Sequence, residues 1–255
     1  MAKDTSGAGD PVRTLELLWR EPGQDQERRR GPRQGLSVDA VVTAATGLAD
    51  EAGLDALTMR ALAQRLGVTP MTLYTYVPGK AELLDLMLDQ AYADMAHRPV
   101  PAGAPWRARV TAVAEDNRDL LRAHPWIAGL AVTRPPLGPG VFAKYEYELH
   151  AFEGIGLLDV EMDAALSHLL GFVHAMARAA ADAAAHNSRL PDDEWWAASA
   201  PFLERTVDET RYPLATRVGT AAGAYDPELV WDFGLRCILD GLARTADGPQ
   251  GPSEP

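Results

Sequence analysis

Between Thr58 and Gly79 the chain is punctuated at close intervals. Thr58 is an N-cap residue, Leu62, Ala63 and Leu66 share one apolar face, and Gly67 stands where a left-handed residue ends a helix at little steric cost. Thr69 then offers another N-cap with Pro70 at the first helical position, Leu73 and Val77 mark an inward face, and Pro78-Gly79 closes the unit. A further helix is predicted just before it: Ser37 caps it, Asp39 sits in its first turn, Val38, Val41, Ala45, Leu48 and Ala52 recur at helical spacing, and Gly53 stops it. Short helices joined by a glycine turn, the last one opening Thr-Pro, have the layout of a helix-turn-helix.

The outward side chains of the last short helix decide what such a unit can touch. Thr69, Met71, Thr72, Tyr74, Thr75 and Tyr76 are rich in hydroxyls and aromatic rings and include no acid. Hydroxyls donate to phosphate, and apolar groups touch thymine methyls. A helical corner with a purely structural role would more often show Glu or Lys there. Lys80 flanks this helix, where a phosphate contact is expected.

Net charge argues the other way at first. The chain carries 24 Lys and Arg against 36 Asp and Glu, a net charge of -12, whereas nucleic-acid binding rests on basic residues. The excess is segregated, however: residues 1–80 are balanced, and the whole deficit lies beyond them. Arg28-Arg29-Arg30-Gly31-Pro32-Arg33 forms a local basic arm within residues 1–35, which are read as a disordered leader because glycines and prolines interrupt them.

Beyond Lys80 only helical patterns appear. They are expected over 81–96, 106–124, 141–153, 159–186, 192–210 and 226–245, with Pro213–Pro227 read as a connecting stretch and 248–255 as a disordered tail. Aromatic content of 7% and alanine-rich runs favour helix over sheet. The expected fold is all-α, with a three-helix helix-turn-helix domain over 36–82 and a larger helical bundle over 83–247. No apolar run is long enough for a membrane span and no secretory signal opens the chain, so a cytoplasmic protein is expected, in keeping with the single cysteine, Cys237.

The run from Ala56 through Thr58, Arg60, Leu66-Gly67-Val68-Thr69-Pro70 and Tyr74-Thr75-Tyr76-Val77-Pro78-Gly79-Lys80 closely resembles the DNA-binding signature of the tetracycline-repressor (TetR) family. Arg118–His124, Thr133-Arg134-Pro135 and Phe233–Leu242 resemble, more loosely, the ligand-binding domain of the tetracycline repressors. The resemblance implies a homodimer that binds double-stranded operator DNA and a small-molecule effector. It places DNA contacts on Thr58, Arg60, Pro70, Met71, Thr72, Tyr74, Tyr76 and Lys80, to which the outward face adds Thr69. Pro70 and Met71 depart from the family's hydrogen-bonding glutamine pattern, so the base sequence read should differ.

The resemblance also implies a central pocket, with Met87, Val113, Asn117, Trp126, Leu130, Phe142, Tyr145, His168 and His174 as candidate lining residues. Tetracycline repressors hold a magnesium chelate partly through a histidine just before the Thr-Arg-Pro turn, where Leu130 or Ala131 stands here. Alanines occupy the later helix between Met176 and Asp182, where a carboxylate would order the metal's water. An effector other than magnesium-tetracycline is therefore expected, with no metal and no cofactor. A search for catalytic constellations finds none: His168 and His174 diverge on a helix, and Asp192-Asp193-Glu194 suits a helix start. The reading is a ligand-responsive DNA-binding regulator, a repressor released by a small hydrophobic or aromatic molecule. The alternative is an α-helical binding protein or enzyme that uses the same cavity.

Overall fold

The computed structural model of the chain describes residues 5–21, 36–132, 134–187, 191–222 and 226–246. An N-terminal strand and helix, β1 (Thr5–Ser6) and α1 (Pro11–Leu18), come first. The next three helices are α2 (Val38–Ala52), α3 (Met59–Arg65) and α4 (Pro70–Tyr74). Their caps are those expected: the Ser37, Thr58 and Thr69 side chains accept from the backbone N–H of Ala40, Ala61 and Thr72. Gly67 adopts φ 67°, the left-handed conformation that closes α3. Leu57, Leu62, Leu73 and Val77 are fully buried and hold the three helices together. Arg65 grips Glu51 through both guanidinium nitrogens at 2.6 Å, which ties α3 to the end of α2.

The helix that follows, α5 (Lys80–Ala93), runs without a break through the domain boundary expected between residues 82 and 83. Its N-terminal turn continues the helix-turn-helix unit, and its middle is buried from Glu82 through Asp89. The remaining elements are α6 (Trp106–Ala123), α7 (Pro125–Gly129), β2 (Ala131–Val132), α8 (Pro139–His150), α9 (Asp159–Asn187), α10 (Asp192–Thr206), α11 (Pro213–Ala222) and α12 (Pro227–Ala246). Two glycines permit the closest crossings. A Cβ on Gly140 would fall 2.0 Å from the Asp89 carbonyl oxygen, so α8 meets α5 backbone to backbone, and one on Gly234 would fall 2.4 Å from the Phe172 ring between α12 and α9.

Three expectations need correction. The leader is not disordered over residues 5–21: β1 pairs in parallel with β2, Thr5 opposite Ala131 and Ser6 opposite Val132, and α1 buries Leu18 against the core. Apart from the Arg20–Asp39 pair, its anchors lie 70 or more residues away, beyond the reach of a local composition argument. The basic run Arg28–Arg33 and the tail 248–255 lie outside the described residues. The stretch after Pro213 is a helix, α11, because a proline at N1 opens a helix as readily as it breaks one. α10 ends at Thr206 rather than at residue 210, where the Val207 N–H closes on the Leu203 carbonyl.

Candidate nucleic-acid interface and buried polar site

Among the candidate DNA contacts, Met71 is 75% and Tyr74 44% exposed on α4, beside exposed Thr69 and Pro70, while Arg60 and Thr58 are exposed at the start of α3. The threonines brace the helix as well as line it. The Thr69 and Thr72 hydroxyls lie 3.0 Å apart, and the Thr75 hydroxyl donates to the Thr72 carbonyl at 2.7 Å. Two side chains differ from expectation. Tyr76 is half-buried against the core, and Lys80 turns inward so that its Nζ donates to the Leu54 carbonyl at 3.3 Å. The face that remains is apolar, hydroxyl-bearing and uncharged except for Arg60, which suits contact with base edges and methyl groups more than with many phosphates.

The candidate pocket residues fall into two groups. Met87, Val113, Asn117, Trp126 and Leu130 are buried, and His174 is half-buried. Phe142, Tyr145 and His168 point outward, so they do not line an interior site with the others. Phe142 lies against Trp19 of the N-terminal segment at 6.1 Å, and the Tyr145 hydroxyl donates to Asp163 at 2.8 Å. The reason is helical phase: on α8 the inward row is Gly140, Lys144 and Glu148, continued by Phe152, which leaves the aromatics at 142 and 145 on the far side.

That inward row carries the residues that sequence reasoning missed. Lys144 Nζ donates to Glu148 Oε1 at 2.6 Å, and Asn117 Nδ2 donates to the same oxygen at 2.5 Å and to the Val113 carbonyl at 2.9 Å. The Lys144 ammonium also stands 4.9 Å from the centre of the Tyr92 ring. Burial pushes Lys144 below its ordinary basicity, with Glu148 opposing; burial and Lys144 together push His174 down, and burial with Glu148 pushes the Tyr92 hydroxyl up. The signal was present in the sequence, since a Lys and a Glu four apart on the row of Gly140 and Phe152 place charge on the apolar stripe. The Trp126 indole N–H is buried without a hydrogen-bond partner.

A separate cleft of about 500 Å³ opens between the end of α5 and α6, with Met95, His97, Arg98, Asp116, Asp119 and His124 among its walls. Asp116 is buried there and accepts from Arg98 Nη1 at 2.6 Å and from the Tyr147 hydroxyl at 3.0 Å. Burial and Asp116 push that phenol up to about 12. His124 binds Asp50 at 2.9 Å and so links the end of α6 to α2. None of the nine candidate pocket residues lines this cleft. Among the described residues there is no group of three His, Cys, Asp or Glu side chains able to hold a metal ion, and no helix is long and apolar enough to cross a membrane.

Large apolar side chains are exposed on the last three helices: Trp195, Trp196 and Phe202 on α10, Leu214 and Val218 on α11, and Leu229 and Phe233 on α12. Trp231 and Leu235 of α12 are buried instead, Trp231 against Phe172 of α9 with its indole N–H donating to Glu115 of α6.

Comparison with known proteins places both halves of the chain. Residues 41–87 match the family model for bacterial regulatory proteins of the tetR family, and residues 99–246 match the tetracyclin repressor-like C-terminal domain. The HTH-type transcriptional repressor DrrR1 of Streptomyces coeruleorubidus is 39% identical, covering 99% of this chain and 93% of its own length. Among solved structures, the TetR family protein ActR of Streptomyces coelicolor in complex with (S)-DNPA is similar with a TM-score of 0.70 and 28% identity, covering 84% of this chain and all of that one. ActR in complex with actinorhodin gives a TM-score of 0.70 at 27% identity, covering 84% and 98%.

Proposed function

The chain belongs to the tetR family of bacterial regulatory proteins, and from that premise we propose that it is a homodimeric repressor whose α4 helices read an operator and whose buried polar cluster takes a small aromatic effector. The observation that carries the DNA half is the α4 face, a charge-free surface of Thr69, Pro70, Met71 and Tyr74 held up by a fully buried Leu73 and Val77. Two such helices in a two-fold dimer would enter successive major grooves about 34–36 Å apart. The exposed apolar surface of α10, α11 and α12 is the interface we assign to the dimer, being too large a set of aromatic and aliphatic side chains for a monomer to leave in water. Residues 36–82 form the operator unit in this reading and residues 83–247 the effector and dimerisation unit, with α5 common to both.

For the effector half, Lys144, Glu148, Asn117, Tyr92 and His174 supply hydrogen bonds and charge inside apolar walls that include Met87 and Val113. An effector seated there would separate Lys144 from Glu148 and take over one of their bonds. Its differential affinity for two dimer geometries, about 1–3 kcal/mol in systems of this kind, is what lowers operator occupancy. We assign the protein to the cytoplasm, where its DNA is, and assign it no catalytic step. Selection of bound duplexes from a random pool, followed by gel shift, tests the DNA half: enrichment of a palindromic site is expected, and a pool that stays random would overturn it. Titration of the selected complex with actinorhodin, used as a probe because ActR binds it, tests the effector half in the unmodified protein and in Lys144→Met. Release that is equally sensitive in both proteins would remove the cluster from the site.

A further inference from the structure

The N-terminal segment from Thr5 to Arg20 lies across the one helix that both units share. Glu82, Asp85 and Asp89 stand three and four residues apart on α5, all buried. Glu82 accepts from the Asp10 N–H at 3.3 Å, and Asp85 accepts from the Ser6 hydroxyl at 2.5 Å and the Gly7 N–H at 2.9 Å. Asp89 accepts from the Val141 N–H of α8 at 2.8 Å. Further along, Trp19 Nε1 donates to the Leu137 carbonyl at 2.8 Å, and the Arg20 guanidinium meets Asp39 at the start of α2. The fit is local and tight at these ends. A Cβ on Gly9 would fall 2.5 Å from Glu82 Oε1, and Gly7 holds φ 75° over the backbone of Arg134.

Beneath the middle of the segment the packing is incomplete. A cavity of about 250 Å³ is lined by Pro11, Leu15, Leu18, Asp85, Pro135 and Leu137 among others, and the buried Thr14 hydroxyl beside it has no hydrogen-bond partner. The segment is held at its two ends, by the β1–β2 pairing and the Glu82 and Asp85 carboxylates on one side and by Leu18, Trp19 and Arg20 on the other, and loss of those end contacts frees it without unfolding what lies under it.

We propose that Thr5–Arg20 is an intramolecular strap that pins α5 to β2 and α8, and thereby fixes the angle at which the operator unit leaves the effector unit. The inference rests on the dimeric operator-binding reading. Detached, the strap leaves α5 joined to the operator unit but no longer tied to β2, and the two recognition helices lose their fixed spacing.

The test compares the full chain with one that begins at Glu21. The removed segment has as many Lys and Arg as Asp and Glu, so its loss does not change the net charge. Nitroxide labels on Gln64→Cys in a Cys237→Ser background report the distance between the two operator units of a dimer by pulsed dipolar spectroscopy. A narrow distribution is expected for the full chain and one at least twice as broad for the shortened chain. Affinity for the selected operator should fall about tenfold and affinity for random duplex should stay constant, a coupling of the usual allosteric size. Trp19→Ala in the full chain should broaden the distribution part of the way, and it decides the matter if the shortened chain does not fold. Unchanged width and operator affinity in either folded variant overturn the strap. A full chain that light scattering shows to be monomeric overturns the dimer reading itself, and the strap with it.

Discussion

Helix α4 and the inner row of α8 treat charge in opposite ways. α4 lies in the open and carries none: its exposed side chains are Pro70, Met71 and Tyr74, and its only buried one is Leu73. α8 faces the core and buries a Lys and a Glu there, Lys144 at 6% exposure and Glu148 at 1%. Stability alone favours neither choice, because water welcomes surface charge and an apolar pair of similar size often replaces a buried ion pair without loss. In the function proposed above, the contrast corresponds to two kinds of recognition. Base edges are discriminated by shape, methyl contact and directed hydrogen bonds, whereas a small effector in a dry interior is discriminated by which of its polar groups can satisfy a committed charge.

Removing one member of the buried pair should have the largest effect. Lys144→Met strands the Glu148 carboxylate and should cost about 3–5 kcal/mol in urea unfolding, while Lys144→Met combined with Glu148→Met should recover most of that loss. A harmless single substitution would mean that the pair is solvated and that the contrast with α4 is false. Tyr74→Ala probes the other side. It should weaken the selected operator complex by about 1–3 kcal/mol and leave the melting temperature nearly unchanged, because the ring is largely outside the core. A loss of stability instead would return Tyr74 to a structural role.

Much of this contrast is legible in the amino-acid sequence. The operator unit is legible because its information is local: Thr58, Gly67, Thr69 and Pro70 each act on residues within one turn, and the structure keeps all four in those roles. The effector unit is less legible because its information is phase and distance. Aromatic identity suggested Phe142 and Tyr145 for the interior, but the row through Gly140 and Phe152 sets the phase of α8, and it selects Lys144 and Glu148. The N-terminal segment was the hardest part. Gly7, Gly9 and Pro11 look like linker residues, yet Gly7 holds a left-handed φ of 75° against Arg134 and Gly9 is needed because Glu82, distant in sequence, approaches so closely.

Lys80 and His174 should give smaller effects. Lys80 is a cation beside α4 that the structure turns toward Leu54, so Lys80→Ala should leave the salt dependence of operator binding unchanged; loss of about one unit of slope would show that it neutralises a phosphate after all. His174 supplies the least effect. Its basicity in the folded chain is held below the ordinary histidine value by burial and by Lys144, so the folded state takes up fewer protons than the unfolded one as pH falls. The associated stability is present above the unfolded value near 6.5 and is lost as the solution is acidified below it. His174→Phe should flatten urea stability between about pH 7 and pH 5 relative to the unmodified chain, and identical slopes would place the imidazole in water.

The bare contact between Gly140 and the Asp89 carbonyl gives α5 a fulcrum. Nine residues of helix separate Asp89 from Lys80, a lever arm of about 13 Å at 1.5 Å per residue. A tilt of about 5° around that point moves the Lys80 end of the arm by roughly 1 Å without stretching a single hydrogen bond inside the helix. Any side chain at 140 would push the two backbones apart and shift the pivot, so the position of α5 over α8 depends on one missing methyl group.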